Sequence, residues 1–224
     1  MFMHSILEKL NTVKDKVNEI AKEKQLKIVP KIIVVTKNFP LNKIKPLIEA
    51  GHIYFGENKL QEAEDKWSEV KNIYKKIELH MIGKLQSNKV KKAVRIFDYI
   101  HSLDTKKLAL KIYNIEKELN KKTKLFIQVN LAEESQKSGI SLNEIDSFYN
   151  YCTQELSLNI IGLMCIPPVS SNSTKNFILL KQAAERLKLN DLSMGMSSDY
   201  EDAVLNGSTY LRLGTIILGE RKTI

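Results

Sequence analysis

Apolar positions along this chain alternate between the spacing of helices and the spacing of buried strands. Residues 4–24 place apolar side chains at helical intervals, which predicts an amphipathic opening helix. Further helices are predicted at 41–50, 57–70, 86–95, 105–119, 141–155 and from the loop 167–174 to residue 189. Apolar, largely β-branched runs between them predict strands at 32–35, 53–55, 77–82, 98–101, 124–129, 159–163, 192–194 and 209–213.

Strands that alternate with helices require a parallel sheet. Repeated over 224 residues, the pattern predicts one α/β domain, 1–224, folded as a (β/α)8 TIM barrel with an extra N-terminal helix. An open doubly wound sheet is the alternative fold. It is disfavoured because no glycine-rich nucleotide loop follows the first strand.

Composition narrows the functional classes. The chain has 35 basic and 26 acidic side chains, a net charge of +9. The basic clusters Lys89–Arg95 and Lys117–Lys124 have no interleaved aromatic residues, so solvated helix faces are favoured over nucleic-acid binding. Cys152 and Cys165 have no disulfide or metal-ligand spacing. With no signal peptide and no membrane-length apolar run, we expect a cytoplasmic protein without metal, nucleic-acid or membrane partners.

Polar residues follow the predicted strands at their carboxyl ends, where barrels gather their functional groups. Lys37 comes directly after the buried run IIVVT, so its side chain is expected to point toward the barrel mouth. A desolvated lysine loses its proton more easily and can attack an aldehyde. A solvated loop lysine is the alternative. Arg212 lies inside an apolar strand, where its charge requires an acid of the chain or an acceptor on a ligand.

Two turns after the last two strands contain hydroxyl and amide groups suited to phosphate. Ser197 and Ser198 precede a predicted helix, and Gly214 and Thr215 follow the final strand. Helix N-termini bind phosphate through free amides, and barrels place such sites after strands seven and eight. Ser198 and Glu201 also have the spacing of a capping box, which requires no ligand.

Three other polar residues have both a functional and a structural interpretation. His80, in ELHMIG, fits a cofactor contact or a core histidine with satisfied hydrogen bonds. Asn58 fits a cofactor contact or a turn. Lys137, in ESQKSGI, fits a functional lysine or a loop lysine.

In order and combination, the motifs of this chain resemble those of the pyridoxal 5′-phosphate (PLP) homeostasis family of PLP-binding proteins. The matching stretches, between Ile32 and Arg221, are VVTK, FGENKLQE, HMIGKLQSNK, QVNLAEESQKSGI, GLMCIP and LSMGMSSDYEDAVLNGSTYLRLGTIILGER. The resemblance implies a barrel similar to the N-terminal domain of alanine racemase, with PLP held as a Schiff base on Lys37. One departure is that Asn38-Phe39-Pro40 replaces the usual TKP after the lysine.

The resemblance also implies roles for the other candidates. Arg212 matches the arginine that faces the pyridine nitrogen, and His80 lies in a matching motif near the cofactor. The remaining matches are Ser197, Gly214 and Thr215 to the phosphate cradle, Asn58 and Met194 to the cofactor pocket, and Lys137 to a second lysine linked to PLP handling.

The function implied by the resemblance is intracellular PLP homeostasis, the storage and delivery of the cofactor. PLP and related B6 vitamers are the expected ligands, PLP-dependent apo-enzymes are the candidate partners, and a monomer is the expected oligomeric state.

An arginine that donates to the ring nitrogen of PLP opposes protonation of that nitrogen, which disfavours deep electron withdrawal by the ring. Racemisation needs a second base, and the chain ends at Ile224, soon after strand eight. We therefore expect a carrier without catalytic turnover; a racemase-type PLP enzyme and a PLP-independent aldolase are the alternatives.

Overall fold

A computed structural model describes residues 2–131, 138–168 and 172–220. Within these ranges, parallel strands and helices alternate and the strands close into an eight-stranded barrel, as predicted. The strands are β1 (Lys31–Val35), β2 (Tyr54–Glu57), β3 (Glu78–Met81), β4 (Tyr99–Leu103), β5 (Lys124–Asn130), β6 (Ile140–Ser141), β7 (Ile160–Met164), β8 (Asp191–Ser193) and β9 (Tyr210–Leu213). The ring closes where β1 pairs with β9 and β4 with β5, while β6 extends the carboxyl end of β5 outside the ring.

Helices cover the outside of the barrel. They are α1 (Phe2–Glu23), α2 (Leu41–Glu49), α3 (Leu60–Ile73), α4 (Val90–Ile96), α5 (Lys106–Leu119), α6 (Ile145–Asn150), α7 (Ser173–Arg186), α8 (Tyr200–Leu205) and α9 (Thr215–Leu218). The extra helix α1 packs its apolar stripe against α2, α8 and α9. None of the helices in the described ranges combines the length and apolarity that a bilayer-spanning segment requires.

Side chains of the strands separate into an outer and an inner layer, because successive residues of a strand point to opposite faces. Ile32 and Val34 pack outward in the large cluster beneath the helices. The inner cluster consists of Ile33, Tyr99, Phe126, Met164 and Tyr210. At the amino-terminal end of the barrel, the Tyr210 and Tyr99 hydroxyls accept hydrogen bonds from Lys31 and Lys124 at 3.1 and 2.8 Å. The opposite end is the barrel mouth, where Lys37, Asn58, Ser197, Gly214 and Thr215 follow their strands.

The predicted start of the third helix, at Glu57, is wrong. Glu57 ends β2 instead, and helix α3 begins three residues later. The Glu57 carboxylate is fully buried and accepts hydrogen bonds from the Thr36 hydroxyl and the Trp67 indole. These tertiary contacts outweigh the helix propensity of glutamate.

The predicted capping box of Ser198 and Glu201 is also wrong, and Ser141 and Glu144, which have the same spacing, do not form one either. The Ser141 hydroxyl donates to the Glu144 carboxylate at 2.6 Å, and α6 begins at the next residue without a side-chain cap. A π-helical turn then continues α6 from Tyr151 to Glu155. Ser198 does not cap α8: Asp199 precedes the helix, and its carboxylate accepts from a preceding backbone amide instead. In both places a side-chain oxygen is bonded locally, outside the helix.

Candidate functional site

The predicted site residues surround the mouth of the barrel. Lys37 follows β1, Asn58 follows β2 and Ser197 follows β8. The last strand contributes Arg212, and Gly214 and Thr215 follow it at the start of α9. His80 lies inside β3, below the rim. The parallel barrel therefore brings together side chains that are separated by up to 178 residues in the sequence (37 to 215).

Lys37 occupies a tight turn formed by residues 36–39. The Thr36 amide continues the sheet by donating to the Gly56 carbonyl at 2.9 Å, and the Phe39 amide donates back to the Thr36 carbonyl at 3.1 Å. Lys37 and Asn38 are thus the two central residues of the turn. Lys37 is half-buried, and it leaves the sheet at the mouth, where the sequence predicted it.

Arg212 is buried on the inner face of β9, with 4% of its surface exposed. Its Nη1 donates to the Ser193 hydroxyl at 2.7 Å, and its Nη2 donates to the Cys165 carbonyl at 2.8 Å. Both partners are neutral, and no carboxylate of the described residues forms an ion pair with the guanidinium. A guanidinium carries more N–H donors than these two bonds use, so others are available to a ligand acceptor.

A hydrogen-bonded chain leads from Arg212 into the barrel. His101 Nδ1 lies 2.8 Å from the Ser193 hydroxyl, and His101 Nε2 lies 3.0 Å from His80 Nδ1. Because arginine can only donate, Ser193 accepts from Arg212. The directions of the two bonds beyond Ser193 follow the tautomers of the histidines. The hydrogen-bonded chain ends at His80 Nε2. That buried Nε2 has no partner among the described residues.

His80 and His101 are both neutral near pH 7. Burial lowers the pKa of His80 well below its ordinary value of 6.5. Burial, followed by the influence of His80 and Arg212, also lowers the pKa of His101 well below 6.5. The His80 ring stacks on Tyr99 and the His101 ring on Phe126, with centroids 4.1 and 4.3 Å apart. Arg212 therefore contacts a rigid and uncharged set of groups, and it is the cation of that set.

The two turns predicted to form a phosphate cradle are in contact. The Ser197 hydroxyl accepts hydrogen bonds from the Gly214 and Ile216 amides at 3.4 and 3.3 Å. Gly195 makes the first turn possible: its φ is +92°, and an added Cβ would lie 2.5 Å from the Ala203 methyl group. Two backbone N–H groups at the start of α9 thus point at one oxygen over long distances.

Asn58 presents an acceptor that no described residue uses. Its Oδ1 is buried, and no donor of the described residues bonds to it. The close packing of Gly83 on this residue fixes the backbone, since an added Cβ at Gly83 would lie 2.2 Å from the Asn58 carbonyl oxygen. A buried unpaired acceptor is costly, so a ligand donor at Asn58 would be favoured.

Of the two remaining predicted residues, one does not join this group and the other is not described. Met194 is fully buried in the large outer cluster, so its contact with a cofactor stays a prediction. Lys137 lies outside the described residues.

Sequence reasoning missed His101 and Ser193, which connect Arg212 to His80. A signal for His101 was present, because consecutive predicted strands each contain one histidine, and their inner faces are adjacent in a barrel. For Ser193 no comparable signal exists, since a serine within a short strand is common.

Comparisons with known proteins agree with this fold. Residues 9–222 match the family model of the alanine racemase N-terminal domain. The pyridoxal phosphate homeostasis protein of Synechocystis sp. is 36% identical over 200 residues, covering 85% of this chain and 91% of the relative. The pyridoxal phosphate homeostasis protein of Escherichia coli K12 is 34% identical over 199 residues, covering 85% of each chain.

Solved structures show the same architecture. PipY of Synechococcus elongatus, solved with PLP bound, is 34% identical and superposes with a TM-score of 0.84, over 96% of this chain and all of PipY. An alanine racemase of Clostridium difficile superposes with a TM-score of 0.74 at 13% identity. That superposition covers 98% of this chain and 57% of the racemase, and it supports the fold alone.

Proposed function

The chain belongs to the family of pyridoxal phosphate homeostasis proteins, and we propose that it binds PLP as a Schiff base on Lys37 and serves as a carrier of the cofactor. The support from relatives is the PLP-bound structure of PipY and the family name. The support from this chain is the set of polar groups around its mouth, each of which matches a part of PLP.

Arg212 is the observation that carries the proposal. A buried cation without an acid partner is energetically costly, and an acceptor on a ligand reduces that cost. The pyridine nitrogen of PLP is such an acceptor. Ser193 and the Cys165 carbonyl hold the guanidinium in place, and its other N–H groups would be available to the ligand.

The remaining groups fit the rest of the cofactor. The Ser197 hydroxyl and the Gly214 and Ile216 amides would hold the phosphate, because they already direct two donors at one oxygen. Thr215, at the start of α9, would add a hydroxyl. The unpartnered Asn58 Oδ1 would accept from a ring hydroxyl. His80 would act indirectly, through His101 and Ser193.

Lys37 would hold the aldehyde covalently. Its neutral ε-amine adds to the aldehyde carbon, a carbon–nitrogen double bond forms and water leaves, so the step needs no oxidant or reductant. When bound, PLP supplies an electron-withdrawing pyridine ring, and its strength depends on whether the ring nitrogen is protonated.

A carrier role follows from the groups that face Arg212. The guanidinium keeps its proton, and its bonded partners Ser193 and the Cys165 carbonyl are neutral. It therefore donates to the ring nitrogen rather than transferring a proton to it, so strong electron withdrawal is not developed. This disfavours amino-acid chemistry that needs deep electron withdrawal, such as transamination, and so supports PLP storage and delivery to apo-enzymes. Racemisation is not disfavoured by Arg212 and needs its own test.

Borohydride reduction of the PLP-loaded protein tests the proposal. We expect one reduced pyridoxyl phosphate, found by mass spectrometry on the peptide that contains Lys37, and no adduct or visible absorbance band in Lys37→Ala. Lys45→Ala is the matched control, because Lys45 is exposed on α2 and pairs with Glu49. An unchanged adduct in Lys37→Ala, or none in the native protein, contradicts the covalent role.

The carrier role is tested separately by exchange. Incubation of the loaded protein with amino acids in deuterated water is expected to leave the α-hydrogen in place. Incorporation of deuterium, abolished by Lys37→Ala, would establish the racemase-type alternative.

A further inference from the structure

The turn that bears Lys37 is enclosed by a buried ionic cluster formed by Glu57, Glu62 and Lys66. Glu57 ends β2, and Glu62 and Lys66 lie one helical turn apart on α3. The Lys66 ammonium bonds to a Glu57 carboxylate oxygen at 2.8 Å and to a Glu62 carboxylate oxygen at 2.9 Å. The Lys66 and Glu57 side chains are 7% and 0% exposed, and that of Glu62 is 23% exposed.

This cluster also bonds to the turn on both sides of Lys37. On the amino-terminal side, Lys66 donates to the Thr36 carbonyl at 2.8 Å, and the Thr36 hydroxyl donates to Glu57 at 2.6 Å. On the carboxyl-terminal side, the Asn38 amide donates to Glu62 at 2.5 Å. A cluster that merely fastened α3 to β2 would not need bonds to Thr36 and Asn38.

The turn needs such support because of its backbone. Asn38 has a φ of +63°, in the left-handed region that is costly for residues other than glycine, although asparagine tolerates it better than most. A charge-assisted hydrogen bond to its amide stabilises the turn in that conformation. Lys37 is the preceding residue of the same turn, so a stable conformation at Asn38 helps to fix the backbone beside it.

We propose that Glu62 and Lys66 are positioning residues for Lys37. They hold the backbone on either side of it, so that its amine is presented to the mouth before PLP arrives. This inference rests on the proposed function of Lys37 as the Schiff-base lysine. Preorganisation of this kind increases affinity and the rate of covalent capture, because less order has to be imposed on binding.

Glu62→Ala is the most informative variant, since Glu62 is partly exposed and its removal leaves the Glu57–Lys66 pair intact. Glu64→Ala is its matched control: Glu64 lies on the same helix, is 24% exposed, and pairs with Lys92 at 3.1 Å away from the turn. In the apoprotein, we expect amide exchange at Asn38 to be about tenfold faster in Glu62→Ala and unchanged in Glu64→Ala. Glu62→Gln, whose amide oxygen can still accept from Asn38, is expected to recover part of the protection.

PLP binding gives the second measurement. The PLP concentration for half-maximal Lys37 capture by borohydride is expected to rise about tenfold in Glu62→Ala, with the melting temperature equal to that of Glu64→Ala. Equal behaviour of the two variants in exchange and capture overturns the proposal. Exchange at Asn38 does not involve PLP, so it still tests the positioning role if Lys37 proves not to be the site of capture.

Discussion

The Lys37 side of the mouth and its Arg212 side differ in how their buried charges are compensated. Around Lys37, the ammonium of Lys66 is paired with Glu57 and Glu62 within hydrogen-bonding distance. Around Arg212, the guanidinium is bonded to a serine hydroxyl and a backbone carbonyl, with neutral histidines behind them. On the Lys37 side, the cation is paired with carboxylates of the protein. On the Arg212 side, the cation is hydrogen-bonded only to uncharged polar groups.

This difference separates structural support from ligand recognition. The paired charges on the Lys37 side need no ligand, and they stabilise the fold and the turn that contains Lys37. The unpaired cation on the Arg212 side is stabilised when a ligand supplies an acceptor. The two sides therefore respond differently when a charge is removed.

Removal of one cation from each side should give the largest contrast. In Lys66→Met, the fully buried Glu57 carboxylate loses its counter-ion, and we expect a loss of about 3–5 kcal/mol in the free energy of unfolding. In Arg212→Met, hydrogen bonds are lost but a buried charge without an acid partner disappears as well. The expected loss is under about 2 kcal/mol. Urea unfolding of the apoproteins measures both values.

A second substitution checks the cause of this contrast. Adding Glu57→Gln to Lys66→Met removes the unpaired carboxylate, so part of the lost stability is expected to return. Equal losses in Lys66→Met and Arg212→Met would show that both cations are compensated alike, and the comparison would fail.

Acid should act on the Arg212 side through His80 and His101. Their folded pKa values lie well below 6.5, so the unfolded chain binds more protons as the pH falls. The contribution of the two neutral histidines to the free energy of unfolding is fully present above pH 6.5. It is lost as the pH decreases below that value, by about 1.4 kcal/mol per pH unit for each histidine. Urea unfolding at pH 7, 6 and 5 gives the slope of the free energy of unfolding against pH. In His80→Phe this slope is expected to be smaller by the contribution of one histidine. Parallel slopes for the two proteins would contradict the neutral state of His80.

The sequence predicted the barrel well because its strand signals are local. The run at 32–35 corresponds to β1, Lys31–Val35, and the helix predicted at 105–119 corresponds to α5, Lys106–Leu119. Glu57 was placed in a helix because its side chain favours one, whereas buried contacts with Thr36 and Trp67 hold it in β2. Such contacts join residues that are distant in the chain, and no periodicity reports them.

The same distinction applies to the site. Lys37 and Arg212 became candidates because each is a local anomaly, a lysine after a buried run and a charge inside an apolar strand. Ser193, Lys66 and His101 have ordinary surroundings in sequence, and their roles arise from hydrogen bonds across the barrel or to the Lys37 turn. The sequence thus indicated candidate chemical groups at the mouth, but not the groups that hold them in place.

Ser197→Ala should have the smallest effect on folding and a selective effect on binding. Ser197 is half-buried and its two bonds are long, at 3.3 and 3.4 Å, so the free energy of unfolding is expected to fall by less than about 1 kcal/mol. If the hydroxyl contributes to a phosphate cradle, the PLP dissociation constant rises about tenfold while that for pyridoxal, which lacks the phosphate, stays the same. Spectroscopic titration with both ligands measures this, and equal weakening for both would contradict the cradle. On the Arg212 side, groups that contribute little to folding would then contribute most to recognition.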